Sequence, residues 1–434
     1  MSYGLRHSTI LTILILLPIF VDQLNGFLVT EMGVTFSLSQ MLKSLYLVGM
    51  MLGIAMMSRT KLLYLVILIT IIFLPVLSNI LFYKGRTNTF YDDIAFMSKV
   101  LTFPVSYLFF ICLSKKFIWM NRYLQKHANI LFFIIFFALL LSLLGFGNSN
   151  YGQVGGEEGD GMSYGYKGYF IAGNEISALF VILYSYFCYY LYKRVKNIFL
   201  LIGGLILGMI VAVLIVSKTV LAAYLIISIL TPFAIKFRES SSLFAFTKYD
   251  RKFLAIFLIV PLVITTILFS FFRERVEANI NRMSYNLEKA GELSSFLLSG
   301  RDKRINDSKR IYFDEYNWQE KLVGTGWKYP QNTIKEQWLG VGTSELDYLD
   351  LLISNGILGV LTIYSFWIFV FIKTIKSYFN KKSHQLVAPA VIGFSIIFCL
   401  NFISGHIMYS ALLGLYLAYL LLPTVDNRVP ATIQ

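Results

Sequence analysis

Hydrophobic and polar positions form long alternating blocks along this chain. Apolar runs of about 20 residues recur between shorter polar segments, and this is the length that an α-helix needs to cross the hydrocarbon core of a bilayer. The pattern predicts about 12 membrane-spanning helices, at residues 8–29, 39–57, 61–83, 93–114, 129–147, 168–192, 197–216, 219–236, 253–272, 347–372, 387–405 and 407–423. Only Ser217 and Lys218 separate spans seven and eight, which predicts a tight hairpin there.

One long polar interval interrupts the apolar blocks between spans nine and ten. Two amphipathic stretches within it predict short helices, at 275–293 and 302–319, and Gly324-Thr325-Gly326 predicts a turn. The predicted organisation is therefore nine spans in residues 1–272, a large external loop at 273–346, and three spans with a cytoplasmic tail in residues 347–434.

Composition agrees with a membrane protein. Hydrophobic residues make up 57% of the chain and charged residues only 14%, which is more apolar surface than a soluble domain can bury. The predicted fold class is all-α and polytopic. The three cysteines lie in separate apolar runs without metal-ligand spacing, so they predict neither a disulfide framework nor a cysteine metal site.

The formal net charge is +14, and its distribution matters more than its sum. With the N-terminus in the cytoplasm, Lys and Arg concentrate in the cytoplasmic segments, and the short outer loops carry only Lys84, Arg86, Lys167 and Lys218. The positive-inside rule then predicts that both termini are cytoplasmic and that the large loop lies outside, in the periplasm or at the cell surface. Topology and anionic lipid explain the basic loops, so no nucleic-acid partner is predicted.

Several charged residues lie near the ends of predicted spans. Asp92 and Asp93 resemble the metal-binding acids of nucleotide-sugar transferases, but acids are also favoured at a helix start, and we favour that interpretation. Lys43 and Lys99 lie within snorkelling reach of a membrane surface. Their position argues against a transporter, which should carry charge deep in several spans. The Gly-rich acidic loop at 148–167 is expected to be flexible.

Three charges on the predicted outer face suggest chemistry. Lys218 occupies the hairpin tip, Arg301 follows a Ser-Gly turn, and Glu345 precedes span ten. Fixed cations suit a phosphate or diphosphate, and a neighbouring carboxylate can accept a proton from an attacking hydroxyl. Taken singly, each charge is equally compatible with an ordinary interfacial position.

Five short motifs occur in an order that resembles the O-antigen polymerase and O-antigen ligase superfamily of bacterial envelope glycosyltransferases. Together they cover roughly residues 165–375. They are Gly168-Tyr169-Phe170 through Asn174, Ser217-Lys218-Thr219, Ser299-Gly300-Arg301, Leu322-Val323-Gly324-Thr325-Gly326, and Glu345 through Gly359.

The resemblance implies a metal-independent, cofactor-free transferase with a GT-C-like helical frame, acting on a glycan carried by undecaprenyl diphosphate. Arg301 and Lys218 would neutralise the departing diphosphate, and Glu345, at the position of a family histidine, would be the leading candidate base. The further substrate-binding candidates are Arg282, Arg304, Asn174, Asp347 and Tyr348. Asp347 and Tyr348 are equally compatible with capping span ten, and Asn174 with capping span six.

Two departures from the family pattern matter within this resemblance, and the second of them favours a polymerase. The hairpin cation is Lys218 where the family has arginine, and Glu345 stands where ligases carry histidine. We therefore predict a polymerase that joins undecaprenyl-diphosphate-linked oligosaccharides into O-antigen (lipopolysaccharide) or capsule chains. Its expected partners are the bilayer, the lipid-linked oligosaccharide, a chain-length regulator and a flippase. The alternatives are an O-antigen ligase, a lipid-linked oligosaccharide flippase or other transporter, and a structural membrane scaffold.

Overall fold

The computed structural model describes residues 2–82, 90–117, 120–151, 164–170, 172–215, 217–240, 248–271, 302–337, 344, 346–380, 383–402 and 405–425. Helices dominate this part of the chain. The first nine are α1 (Ser2–Met32), α2 (Leu38–Met57), α3 (Arg59–Phe82), α4 (Phe90–Lys116), α5 (Met120–Leu143), α6 (Gly173–Arg194), α7 (Ile198–Ile215), α8 (Lys218–Ser240) and α9 (Lys248–Phe271).

The remaining helices belong to the C-terminal half. Three are short: α10 (Asp302–Arg310), α11 (Trp318–Val323) and α12 (Lys328–Gln337). They are followed by α13 (Asp347–Phe379), α14 (Val387–Leu400) and α15 (Ala411–Leu420), and a single 3₁₀ turn closes the bundle at Leu422–Thr424.

Each of the 12 predicted spans corresponds to one helix. Within the described residues, nine helices (α1 to α8 and α13) are long and apolar enough to cross a membrane, and α14 and α15 are shorter apolar helices. The prediction of an all-α polytopic membrane protein is confirmed, and the protein is multi-pass. The resemblance to a GT-C frame and the orientation in the membrane stay predictions.

Several predicted boundaries were wrong. Helix α5 begins at Met120, nine residues before the predicted start, because a search for apolar runs misses its partly polar first two turns. The last two spans were predicted as 387–405 and 407–423, yet α14 ends at Leu400 and α15 begins only at Ala411. The chain between them forms a non-helical segment, residues 405–410, that becomes important below.

The loop predicted to be flexible contains a small β-hairpin. Strand β1 (Asn148–Tyr151) pairs antiparallel with β2 (Tyr164–Gly168), and β2 packs against the end of α5. The acidic glycine-rich stretch between the strands, residues 152–163, lies outside the described residues. The prediction of flexibility was therefore wrong for the two ends of this loop, because their backbone groups form hydrogen bonds between paired strands.

The large loop is also more divided than predicted. The expected helix at 302–319 is split into α10, a π-helical turn at Ile311–Glu315 and α11. The split occurs because Asn317 caps α11, its side chain accepting hydrogen bonds from the amides of Gln319 and Glu320. The expected helix at 275–293 lies outside the described residues.

Helix α6 occupies the centre of the bundle. Nearly all of its residues from Ile176 to Tyr189 are buried, and it packs against α5, α8 and α14, with α15 between it and α4. By contrast, α1, α2, α3 and α9 expose many large apolar side chains. Such outward apolar surface is what helices facing lipid require.

The short connections make successive helices run in opposite directions through the bundle. One end therefore carries the last turns of α1, α3, α5, α7, α9 and α14 and the first turns of α2, α4, α6, α8, α13 and α15. The β-hairpin and helices α10 to α12 lie at this same end, which we call the loop end.

Candidate functional site

A cavity of about 550 Å³ enters the bundle at the loop end. This volume falls within the ~300–1,000 Å³ typical of small-molecule sites. Its wall is assembled from α2, α4, the start of α6, the start of α12 and the 405–410 segment. The lining residues are Ser37, Ser39, Gln40, Lys43, Ser44, Leu47, Asp92, Ala95, Phe96, Ser98, Lys99, Thr102, Ala172, Glu175, Trp327, Lys328, Gln331, His406, Tyr409, Ser410 and Ala411.

Helix α4 supplies a polar stripe to this cavity. Asp92, Phe96, Lys99 and Thr102 line it, and their spacing of three or four residues places them on one helical face. Lys99 is nine residues into α4, or about 13 Å along the axis at ~1.5 Å per residue. An ionisable side chain this far into a membrane-spanning helix is costly and usually functional.

The lysines that line the cavity differ in whether they form ion pairs within the protein. Lys43 pairs with Asp22 at 2.7 Å, and Lys328 pairs with Asp92 at 2.9 Å. The Lys99 side chain is exposed to the cavity, and no carboxylate within the described part of the chain lies within ion-pair distance of it.

Glu175 supplies a carboxylate on another wall of the same cavity. It interacts electrostatically with Lys99 and accepts a hydrogen bond from the Ser410 hydroxyl. A cation and an anion thus face one space without forming an ion pair, and both are placed to bind polar ligand groups.

Aromatic rings form a second surface of the cavity. Trp327 stacks on Phe96 with ring centroids 3.9 Å apart and planes within 7° of parallel. Tyr409 lies against both rings, with centroids 5.7 and 5.1 Å away. A cavity that combines an aromatic surface with convergent polar groups is typical of sites that orient a small polar ligand, such as a sugar.

Asp93 fixes the turn that places Trp327. Its Oδ1 accepts hydrogen bonds from the amides of Trp327 at 2.7 Å and Lys328 at 2.9 Å. Asn79 on α3 donates to the carbonyl of Thr325 at 2.5 Å. The predicted helix-start position of Asp93 is confirmed, and the fold uses the carboxylate to join α4 to the start of α12 as well.

Two motifs identified in the sequence pack directly on each other. Gly324 and Gly356 have φ angles of 87° and 62°, a region that side chains rarely tolerate. A Cβ on Gly324 would overlap the backbone of Ser354 and Asn355, and one on Gly356 would overlap Leu322. The predicted turn at residues 324–326 is confirmed, and it rests on a kink inside α13 at Gly356.

The carboxylate of Asp347 holds the 405–410 segment. Its two oxygens accept hydrogen bonds from the successive amides of His406, Ile407 and Met408 at 2.5, 2.9 and 2.7 Å. Asp347 is fully buried. The direct sugar contact predicted for Asp347 is therefore not available in this structure, because backbone amides already donate hydrogen bonds to both of its oxygens.

Asp350 extends the same arrangement one helical turn further along α13. One oxygen accepts from the Tyr409 hydroxyl at 2.8 Å, and the other accepts from the amide and hydroxyl of Ser344 at 2.9 and 2.8 Å. The first turn of α13 thus determines where Tyr409 and its neighbours face the cavity.

The other predicted site residues have different positions. Asn174 donates to the Gly405 carbonyl at 3.1 Å and does not line the cavity. Tyr348 packs with Ile305 and Leu346, while Arg304 on α10 is half-buried. Lys218 begins α8 at the loop end with an exposed side chain, away from the cavity wall. Arg301, Glu345 and Arg282 lie outside the described residues. The structure therefore does not test whether Arg301, Glu345 and Lys218 converge.

Sequence reasoning missed most of the residues that line this cavity. Lys43 and Lys99 were interpreted as interfacial, although Gln40, Lys43 and Ser44 on α2 form a polar stripe that helical spacing could have identified. His406 and Tyr409 offered no such signal, because His406 is the single residue between the last two predicted spans and Tyr409 falls inside the last of them. Within the described residues, no cluster of three or more His, Cys, Asp or Glu could hold a metal ion.

Comparison with known proteins bears on the C-terminal half of the chain. A search of curated proteins found no significant match. A family model described as "O-antigen ligase like membrane protein" matches residues 270–424, which include α10 to α15, Trp327 and the 405–410 segment. This match does not distinguish a polymerase from a ligase, and it gives no support to a flippase. It supports a place in the O-antigen ligase and polymerase superfamily, as a membrane enzyme of O-antigen or polysaccharide assembly.

Proposed function

We propose that the protein is a polysaccharide polymerase. It would join the reducing-end sugar of a growing chain on undecaprenyl diphosphate to the non-reducing end of a lipid-linked repeat unit. The observation that carries the proposal is the cavity at the loop end. It presents an aromatic surface, a lysine and a carboxylate within the helical bundle, and part of its wall belongs to the region matched by the family model.

The reaction needs an acceptor held in place and a diphosphate leaving group neutralised. Trp327 and Tyr409 would orient an acceptor sugar, while Glu175, Lys99 and the serine hydroxyls of α2 would bind its polar groups. Arg301 and Lys218 would neutralise the diphosphate, a role that guanidinium and ammonium groups suit. Glu345 is the base suggested by the sequence.

A polymerase is favoured over a ligase by Glu345, which stands where the resembled ligases carry histidine. The proposed orientation places the loop end outside the bacterial inner membrane, as the distribution of Lys and Arg predicts. A flippase is disfavoured because the family match points to bond formation.

The test is reconstitution of the purified protein with a lipid-linked repeat unit, with products resolved by length. A ladder of repeats is expected. Transfer only to lipid A core would replace the polymerase with a ligase, and movement of substrate between leaflets without bond formation would indicate transport. Arg301→Ala, Lys218→Ala and Glu345→Ala should each weaken the ladder, and a variant that leaves it unchanged removes that residue from the site.

A further inference from the structure

His406 is held in an unusual backbone conformation where the 405–410 segment borders the cavity. Its φ angle is 66°, and among the described residues it is the non-glycine residue with a positive φ. A side chain in this region costs free energy, and such residues cluster at functional sites where the surrounding structure maintains them.

The structure that maintains this conformation comes from two other helices. Asp347 on α13 accepts the amide hydrogen of His406 and those of the next two residues. Asn174 on α6 donates to the carbonyl of the preceding residue, Gly405. The segment is thus fixed on both sides of His406, so that its backbone cannot relax without breaking buried hydrogen bonds.

The imidazole faces the cavity rather than the core. His406 is half-buried, lines the cavity, and packs edge-on against Tyr409 with ring centroids 5.2 Å apart. The carboxylate of Asp350 interacts electrostatically with it. A buried carboxylate near a histidine stabilises the imidazolium that forms when the ring accepts a proton.

His127 shows what a structural histidine looks like in the same protein. It is fully buried, and its two ring nitrogens hydrogen-bond to the hydroxyls of Thr12 and Tyr419 at 2.9 and 2.6 Å. The core thus uses both nitrogens of His127. His406 borders a space large enough for a sugar.

We propose that His406, rather than Glu345, is the general base that activates the acceptor hydroxyl. This inference rests on the proposed function. As the acceptor oxygen forms its bond to the anomeric carbon, its proton moves to the imidazole. The bond from that carbon to the diphosphate oxygen breaks, and the diphosphate leaves with the electron pair. The imidazolium then releases the proton to water.

Other charged groups surround this histidine and would shape its titration. They are Asp347 and Asp350 from α13, Glu175 from α6, Asp92 and Lys99 from α4, Lys43 from α2, Lys328 from α12, and Tyr409 on its own segment.

The test compares His406→Asn with wild type in the polymerisation assay. Asparagine tolerates the left-handed conformation, so the segment should keep its shape. We expect kcat to fall by about 10²–10⁴-fold, the usual contribution of a general base, with KM for the lipid-linked substrate unchanged. The wild-type pH profile of kcat should rise through the range in which histidines titrate, and the variant should lack that rise.

Two further measurements make the result decisive. His406→Gly, which relieves the backbone strain, should regain activity when imidazole is added. His384→Asn, at the opposite end of the bundle, should leave kcat unchanged. Full activity in His406→Asn overturns the inference. So does a wild-type profile without the histidine rise, whether or not the variants fold.

The same experiment separates this inference from the proposed function. Absence of a ladder with the wild-type protein counts against the polymerase alone. If transfer to lipid A core occurs instead, His406→Asn is measured in that reaction, because its acceptor hydroxyl must lose a proton too. A ladder that depends on Glu345 but not on His406 returns the base role to Glu345.

Discussion

The two ends of the helical bundle use charged residues in opposite ways. At the end opposite the loop end, Arg238 on α8 donates hydrogen bonds to the carbonyls of Ser377, Tyr378 and Ser383, where α13 finishes. Lys193 pairs with Glu239 at the same end. These charges stabilise helix ends, because a cation favours the carbonyl end of a helix.

At the loop end, backbone amides and a few buried acids stabilise the ends of helices and segments instead. Asp93, Asp347 and Asp350 accept hydrogen bonds that join separate segments. Lys99, Glu175 and His406 border the cavity instead. The comparison teaches that a charge in this protein indicates a site where its side chain borders the cavity, which sequence position alone does not reveal.

The largest effect is expected from Asp347→Ala. The substitution leaves three buried amides without their acceptor, at about 1–3 kcal/mol each, and it releases the segment that carries His406. Activity should fall at least ~100-fold, since small misplacements of catalytic groups cost that much. Polymerisation rate and thermal unfolding in detergent measure the two effects. Asp347→Asn, which keeps one acceptor oxygen, should be intermediate, and an Ala variant with normal activity would contradict the positioning role.

Gly356→Ala tests the packing of the two motifs at the loop end. Its backbone, with φ 62° and ψ −173°, lies in a region almost exclusive to glycine, where another residue costs about 1–3 kcal/mol. The new Cβ would also overlap Leu322. Gly33→Ala is the matched control, because Gly33 has a similar φ of 66° and open space around it. We expect a greater loss of stability for Gly356→Ala, and equal losses would exclude a contribution from the packing.

Arg238→Met should reduce stability and leave the reaction intact. Hydrogen bonds to charged groups contribute about 1.5–3 kcal/mol, and Arg238 makes several to the end of α13. We therefore expect a lower unfolding temperature with an unchanged rate per folded molecule. A large decrease in that rate would show that this end of the bundle also takes part in catalysis.

Lys99→Met should lower the reaction rate without lowering stability, which is the reverse of the expectation for Arg238→Met. Its effect should also be smaller. Removing a charge from within a membrane-spanning helix eliminates a desolvation cost, so the unfolding temperature should stay constant or rise. The rate should fall by about tenfold, equivalent to the ~1.4 kcal/mol of one exposed ionic contact with substrate. Wild-type activity in this variant would show that Lys99 does not contact the substrate.

Much of the fold follows from the sequence because lipid imposes a simple rule. Each crossing needs about 20 apolar residues with internally bonded backbone, so the helices appear as hydrophobic blocks wherever they have polar neighbours. The boundaries were wrong where that contrast fails. The partly polar first nine residues of α5 precede its apolar block, and the non-helical 405–410 segment lies where two predicted apolar blocks almost meet.

The sequence by itself determined the order of the apolar helices, the glycine turn at residues 324–326, and the motifs that resemble a family. Only the tertiary structure decided which polar side chains serve the fold and which border the cavity. Lys43, Lys99, Glu175, Trp327 and His406 come from five separate segments. Residues so far apart in the chain are brought together only by helix packing, and no local sequence pattern shows that their side chains meet.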